Sequence, residues 1–302
     1  MTSRTAAVEL HNVVRRYGSF TALDGVTFSI ESEESVALVG PNGAGKTTTI
    51  ECLLGLATPQ AGSVRLFGEP PRLTRQAHAV GVLLADAGFP PSAPVGALLD
   101  ALGRMRGVDT APMARRFGLT QLARTRFETL SLGQRQRVRL AIALAGTPEL
   151  IIADEPSTAL DLEARATLAT VLEDHRSRGG ALLLATHDLA EASTLADRVI
   201  VLSHGRLIAD ATPREIRGRS GFARVSATLR EQPDADTLDR YGAAVLEIER
   251  DRTTFTATDA DGLAHELLHL GATALEIAPV GLDEAIRRLL NLQRDPTTEE
   301  HP

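Results

Sequence analysis

Tryptophan is absent, cysteine and lysine occur once each, and aromatic residues make up 3% of the 302 residues. So few rings give no basis for platforms that stack single-stranded bases. A lone thiol, Cys52, excludes an intramolecular disulfide framework and fits a reducing compartment. There is no basic excess either. The 32 Lys and Arg face 39 Asp and Glu, a net charge of −7, so composition supplies no basic face for gripping a nucleic-acid backbone, and no nucleic-acid partner is expected. No apolar run approaches the roughly 18 residues that span a bilayer, and Met1 to Ala7 has neither the basic nor the apolar region of a secretion signal. What is present is ordinary globular composition, 43% hydrophobic and 24% charged. At this length a core tends to split, which predicts one domain of about 200 residues or more and a smaller companion.

Short β-branched runs at 8–14 and 26–30, with Gly18 and Gly25 as turn markers, open the chain. From Val36 the pattern changes to apolar strands (35–39, 79–84, 150–153, 181–185, 199–202) alternating with helical segments (47–56, 134–145, 162–178). Buried strands spaced by helices predict an α/β fold with a parallel sheet covered on both faces. Residues 95–127 carry only helical spacing and read as a helical insertion. Arg-Gly-Arg-Ser-Gly at 217–221 interrupts the pattern and sets a boundary after residue 218. Beyond it, strand 222–229, helix 235–241, strands 243–249 and 252–258, helix 260–270 and strand 273–279 follow in β-α-β-β-α-β order, the ferredoxin-like arrangement. A last helix at 282–290 and a polar, frayed tail at 294–302 complete this small α+β domain.

The only lysine, Lys46, lies in Gly40-Pro41-Asn42-Gly43-Ala44-Gly45-Lys46-Thr47, which fits G-x-x-x-x-G-K-[ST] between a strand and a helix. Glycines at 43 and 45 let backbone N–H groups turn inward as an anion nest at a helix N-terminus. Lys46 offers a compact charge for the β- and γ-phosphates, and the Thr47 hydroxyl, with Thr48 beside it, suits Mg²⁺ and phosphate. The strand Leu150–Ala153 then ends in Asp154 and Glu155, at the sheet edge where such folds bind ligands. Asp154 is the candidate Mg²⁺ residue and Glu155 the acid that orients or deprotonates a water, although an acid pair after a strand is by itself more often a solvated loop.

The segment Leu130-Ser131-Leu132-Gly133-Gln134 resembles the L-S-G-G-Q signature of the ATPase subunits of ATP-binding cassette (ABC) transporters, with Leu132 in place of the first glycine pair member. The resemblance covers residues 8–215 and looks like that of bacterial drug exporters of the daunorubicin-resistance group. It implies a RecA-like P-loop core with an N-terminal antiparallel β-subdomain, and ATP with Mg²⁺ as ligands. It further implies that Ser131, Gly133 and Gln134 meet the γ-phosphate held by a second ATP-binding subunit. Tyr17 resembles the aromatic that stacks on adenine, though a half-buried strand tyrosine is the plainer alternative. Asp161 in Ser157-Thr158-Ala159-Leu160-Asp161 resembles the D-loop acid, or else simply opens a helix. His187, in Thr186-His187-Asp188, resembles the switch histidine that works with Glu155. One position departs: Ala85 stands where the family places a Mg²⁺-coordinating glutamine, from which reduced turnover is expected. Arg135, Arg137 and Arg139 read as a solvated or ion-paired helix, and Cys52 as a packed core thiol.

Taken together, the resemblance implies an ATPase on the cytoplasmic face of the membrane, serving a separate transmembrane permease that docks near 95–127 and Ala85. The C-terminal domain is similar to the tail of exporter ATPases and is expected to support dimerisation or regulation. Two competitors remain at this stage: a soluble ABC protein of translation or DNA repair, which usually carries two cassettes, and a nucleotide-gated regulatory module with weak hydrolysis.

Overall fold

The computed structural model describes residues 6–71, 79–84, 88–219 and 221–291. By compactness the chain forms two units, meeting between Asp210 and Ala211.

The first unit opens with a long hairpin, β1 (Ala6–Tyr17) and β2 (Phe20–Glu31). It turns at Gly18, whose φ of +59° suits glycine. Gly25 does not make the expected turn. It lies inside β2 at φ +73°, opposite Asn12 at φ +48°, where the pairing slips around Val13 as a bulge. A parallel-sheet strand, β3 (Ser35–Val39), feeds α1 (Lys46–Leu53), and β4 (Ala61–Leu66) returns to pair with β1, giving an antiparallel sheet in the order β2-β1-β4. Next come β5 (Val80–Leu83), the insertion helices α2 (Val95–Arg106) and α3 (Ala111–Arg116), and α4 (Leu132–Ala143). The rest of the unit runs β6 (Leu150–Asp154), α5 (Leu162–Ser177), β7 (Ala181–Ala185), α6 (Leu189–Leu195), β8 (Arg198–Ser203) and β9 (Arg206–Ala211).

The main sheet has six strands in the order β5-β6-β7-β3-β8-β9, with β5 to β8 parallel. Every residue of β3, β6 and β7 is buried. Alternation splits them between two cores, as a doubly covered parallel sheet requires. Ile151, Ala153, Leu182 and Leu184 pack with α2, α4 and α5, whereas Leu150, Ile152, Leu183 and Ala185 pack with α1 and the antiparallel sheet. The polar side chains of these strands can therefore emerge only at their ends. Ala85, on which the expectation of slow turnover rests, lies outside the described residues.

The second unit begins eight residues before the expected boundary, because α7 (Pro213–Arg219) belongs to it: Ile216 is fully buried and α7 packs on α10 (Leu282–Asn291). Between these lie β10 (Ala223–Thr228), α8 (Ala235–Arg240), β11 (Ala243–Glu249), β12 (Arg252–Ala257), α9 (Ala260–His269) and β13 (Thr273–Pro279). Their sheet runs β11-β12-β10-β13 with every pair antiparallel, the split β-α-β arrangement of a ferredoxin-like domain. Val225, Phe255, Leu263 and Leu267 form its core. Among the described residues no helix is long and apolar enough to cross a membrane.

Candidate functional site

The loop between β3 and α1 lines an open cavity of about 290 Å³ together with Asp154, Glu155, Phe20 and Ala22, contributing Asn42, Gly43, Ala44, Gly45, Lys46, Thr47 and Thr48. Gly45 is the N-cap of α1 at φ +108°, and a Cβ there would lie 2.6 Å from the Ala22 carbonyl oxygen, so both conformation and space demand glycine. The lysine is largely buried at 9% exposure, its Nζ donating to the carbonyls of Gly40 at 2.7 Å and Pro41 at 3.3 Å. Burial holds its pKa below the ordinary lysine value, with Glu155 and Asp154 pulling the other way. Gly40 and Pro41 thus serve the site as carbonyl acceptors and do not line its wall. Thr47 Oγ1 donates to Asp154 Oδ2 at 3.2 Å, bringing the two candidate Mg²⁺ residues together. A hydroxyl and a carboxylate, hard oxygen donors with no sulfur or imidazole between them, fit Mg²⁺ chemistry.

Glu155 follows β6 at φ +50°, a left-handed conformation that costs any residue with a Cβ energy and that tends to persist at functional sites. Its N–H donates to the Ala185 carbonyl at 2.8 Å, which pins it to the end of β7. Its carboxylate accepts from the His187 backbone N–H at 3.1 Å, and His187 Nδ1 lies 2.7 Å from Oε2. The acid and the histidine picked out in sequence therefore meet, 32 residues apart in the chain.

Ser131, Gly133 and Gln134 do not line the cavity. Helix α4 starts at Leu132, two residues earlier than periodicity indicates, because Ser131 and Gln134 form a capping box: Ser131 Oγ accepts from Gln134 N–H at 3.2 Å and Gln134 Oε1 from Ser131 N–H at 2.9 Å. Gly133 sits in the first turn, where a Cβ would lie 2.7 Å from the Ala159 carbonyl oxygen. Asp161 caps α5, accepting from Ala164 N–H at 2.8 Å. Tyr17 also lies off the cavity wall: its hydroxyl donates to Glu51 Oε2 at 3.0 Å and the Arg15 guanidinium covers its ring at 4.4 Å. Across the hairpin, Phe20 pairs with Tyr17 and is the aromatic on the cavity, 58% exposed.

Sequence reasoning passed over Phe20 and two further residues. Gln136, buried on α4, donates to the Pro156 carbonyl at 3.0 Å and the Glu155 carbonyl at 3.4 Å, joining the signature helix to the acid turn. Glu191 on α6 accepts from Thr186 Oγ1 at 2.9 Å, and burial pushes its carboxyl above the usual range against the stabilising hydroxyls of Thr186 and Ser157. A polar residue on the buried side of a helix was the available signal for Gln136. Cys52 is buried as expected, its thiol pushed up to about 11 by burial.

A family model described as ABC transporter matches residues 23–158. The chain is 41% identical over 246 residues to a Nod factor export ATP-binding protein I of Paraburkholderia xenovorans, a match covering 78% of this chain and 77% of that protein. It is 38% identical over 253 residues to an aliphatic sulfonates import ATP-binding protein of Cupriavidus necator, covering 78% and 82% respectively. Among solved structures, an ATP-binding subunit of an ABC transporter superposes with TM-score 0.67 at 28% identity, over 71% of this chain and 93% of that one. A dimeric ATP-binding cassette in a post-hydrolysis state bound to ADP and Pi superposes with TM-score 0.60 at 26% identity, over 68% of this chain and 98% of that one.

Proposed function

The chain belongs to the ABC transporter family, as an ATPase that uses ATP with Mg²⁺ in transport, and on that premise we propose that it powers export rather than import. The cargo on this reading is a drug, antibiotic or lipid-like molecule, carried by a permease on a separate polypeptide at the cytoplasmic face of the membrane, with a second ATP-binding subunit completing each site. Support for export comes from Nod factor export proteins at 36–41% identity; a sulfonate importer at 38% identity is the counterweight. No nucleic-acid partner is part of this reading.

One observation carries the chemistry: Lys46, Thr47, Asp154, Glu155 and His187 converge at the C-terminal ends of β3, β6 and β7. The nest at 43–47 binds the triphosphate, and Lys46 exchanges its carbonyl partners for phosphate oxygens. Glu155, held by His187 and by the end of β7, accepts a hydrogen bond from the attacking water and aims it in line. Thr47 and Asp154 would hold Mg²⁺, whose chemistry when bound is to neutralise charge on the phosphate oxygens. Phe20, with Tyr17 behind it, supplies the apolar wall for the base.

The test is ATP turnover and retention. We expect Glu155→Gln to keep ATP while losing turnover by about 10²-fold or more; a variant as fast as wild type refutes the role given to Glu155. Direction is tested by transport into inside-out vesicles carrying the chain and its permease, where export predicts ATP-dependent uptake. Ala85→Gln is expected to raise turnover, since alanine offers no oxygen ligand where the family resemblance places one.

A further inference from the structure

Two segments meet at the water-orienting acid: residues 154–161, leaving β6, and residues 185–188, leaving β7. Directly at Glu155 they are joined by Glu155 N–H to Ala185 O at 2.8 Å and His187 N–H to Glu155 Oε1 at 3.1 Å. A further connection runs through α6. The Glu191 carboxylate accepts from Thr186 Oγ1 at 2.9 Å, and the Ser157 hydroxyl, two residues past Glu155, lies within its reach and stabilises its charged form. Thr186 is fully buried, and its Oγ1 also accepts the Asp188 N–H at 2.9 Å. Asp188 in turn caps α6 through the N–H groups of Ala190 and Glu191. One carboxylate thus reaches the residue before His187 and the segment after Glu155.

The electrostatics say what this carboxylate is not for. The charged groups acting on it are Asp188 and Glu155, both of its own sign, and it is partly withdrawn from water. Like charge and burial each oppose ionisation, so Coulombic stabilisation does not account for a glutamate here. What the position offers is reach and two acceptor oxygens, enough to bond both segments at once.

We propose that Glu191 is a positioning residue that ties the His187 turn to the segment following Glu155, so that histidine and acid keep one relative geometry while nucleotide binds and leaves. The inference rests on the role given above to Glu155. Misplacement of an attacking water by about an ångström costs on the order of 10²-fold in rate, whereas the triphosphate nest at 43–47 is untouched by Glu191. The signature is therefore a loss in kcat without a matching change in KM.

The experiment compares Glu191→Ala, Glu191→Gln and Ser157→Ala in the full chain by steady-state ATP turnover, with Glu155→Gln alongside. Glu191→Ala is expected to lower kcat by about 10- to 100-fold with KM for ATP within about twofold. Glu191→Gln, which can bond both partners through its amide, is expected within about threefold of wild type. Ser157→Ala cuts one arm and should give an intermediate loss, and adding it to Glu191→Ala should cost little more, since both act on one link. If circular dichroism shows Glu191→Ala unfolded, Ser157→Ala and Thr186→Val carry the test, each expected to lower kcat and leave KM in place. Full turnover in the alanine variant, a loss seen in KM alone, or a glutamine variant as slow as alanine overturns the proposal. Full turnover in Glu155→Gln overturns the underlying reading of the site; an inactive Glu155→Gln beside an unaffected Glu191→Ala overturns only the role of Glu191.

Discussion

The six-stranded sheet of the first unit and the four-stranded sheet of the second are built from strands of similar length, yet they treat polar residues in opposite ways. In the first, β3, β6 and β7 are buried along their whole length, and polar groups are driven to the strand ends. That confinement brings Thr47, Asp154, Glu155 and His187 to one edge. In the second, Ser226 and Thr254 hydrogen-bond at 3.0 Å on the sheet itself, and edge strand β11 leaves Val245, Leu246 and Ile248 exposed. Its polar residues spread over a face and do not converge. A sheet buried along its central strands makes a site by exclusion; one that pairs polar residues within itself and exposes its edge strands has no such pressure.

Replacing Lys46 with alanine should separate the units most sharply. Turnover is expected to fall by about 10²-fold or more, while the second unit's unfolding is unchanged, checked by phosphate release and calorimetry. Next in size is a matched pair of core deletions. Leu183→Ala, in the first unit, should cost about 2–5 kcal/mol and weaken ATP binding, whereas Phe255→Ala, in the second, should cost about 3–5 kcal/mol yet leave turnover nearly unchanged. Equal losses of turnover from the two would break the division of labour. The smallest effect is a pH dependence confined to the first unit. Burial holds the His175 imidazole below 6.5, its Nε2 lying 2.8 Å from the Ala181 carbonyl, so below pH 6.5 the unfolded chain takes up a proton that the folded one refuses. The corresponding stability is present above that pH and lost as pH falls through it toward the lower folded value. Thermal unfolding from pH 7.5 to 5 should show the first unit's transition falling, with a shallower slope in His175→Gln.

The residues legible in the sequence were those whose type is dictated by the ligand. A phosphate nest needs glycines, a charge and a hydroxyl in consecutive positions, and the acid strand announces itself by four apolar residues before its carboxylates. The ferredoxin-like order of the second unit was legible because its strands and helices are cleanly separated by turns. Residues whose work depends on a partner far along the chain were not. Gln136 and Glu191 act on Glu155 and Ser157 across 19 and 34 positions respectively, the first by direct contact and the second through the Ser157 hydroxyl within the carboxylate's reach. Strand β4 was missed because it begins with three exposed residues, and only Val64 and Leu66 of it face the core. The slip in the β1–β2 pairing made Gly25 look like a turn when it relieves a bulge.

Lys46 is the chain's sole lysine, and it donates to the carbonyls of its own loop from a largely buried position. Amine-directed acylating reagents therefore have one side-chain target in the whole molecule besides the α-amino group. Acylation there removes the cation that the triphosphate needs, and bound nucleotide stands in the reagent's way. The fraction of chains protected from labelling thus counts occupied sites directly, with no engineered tag and no second lysine to confuse the tally.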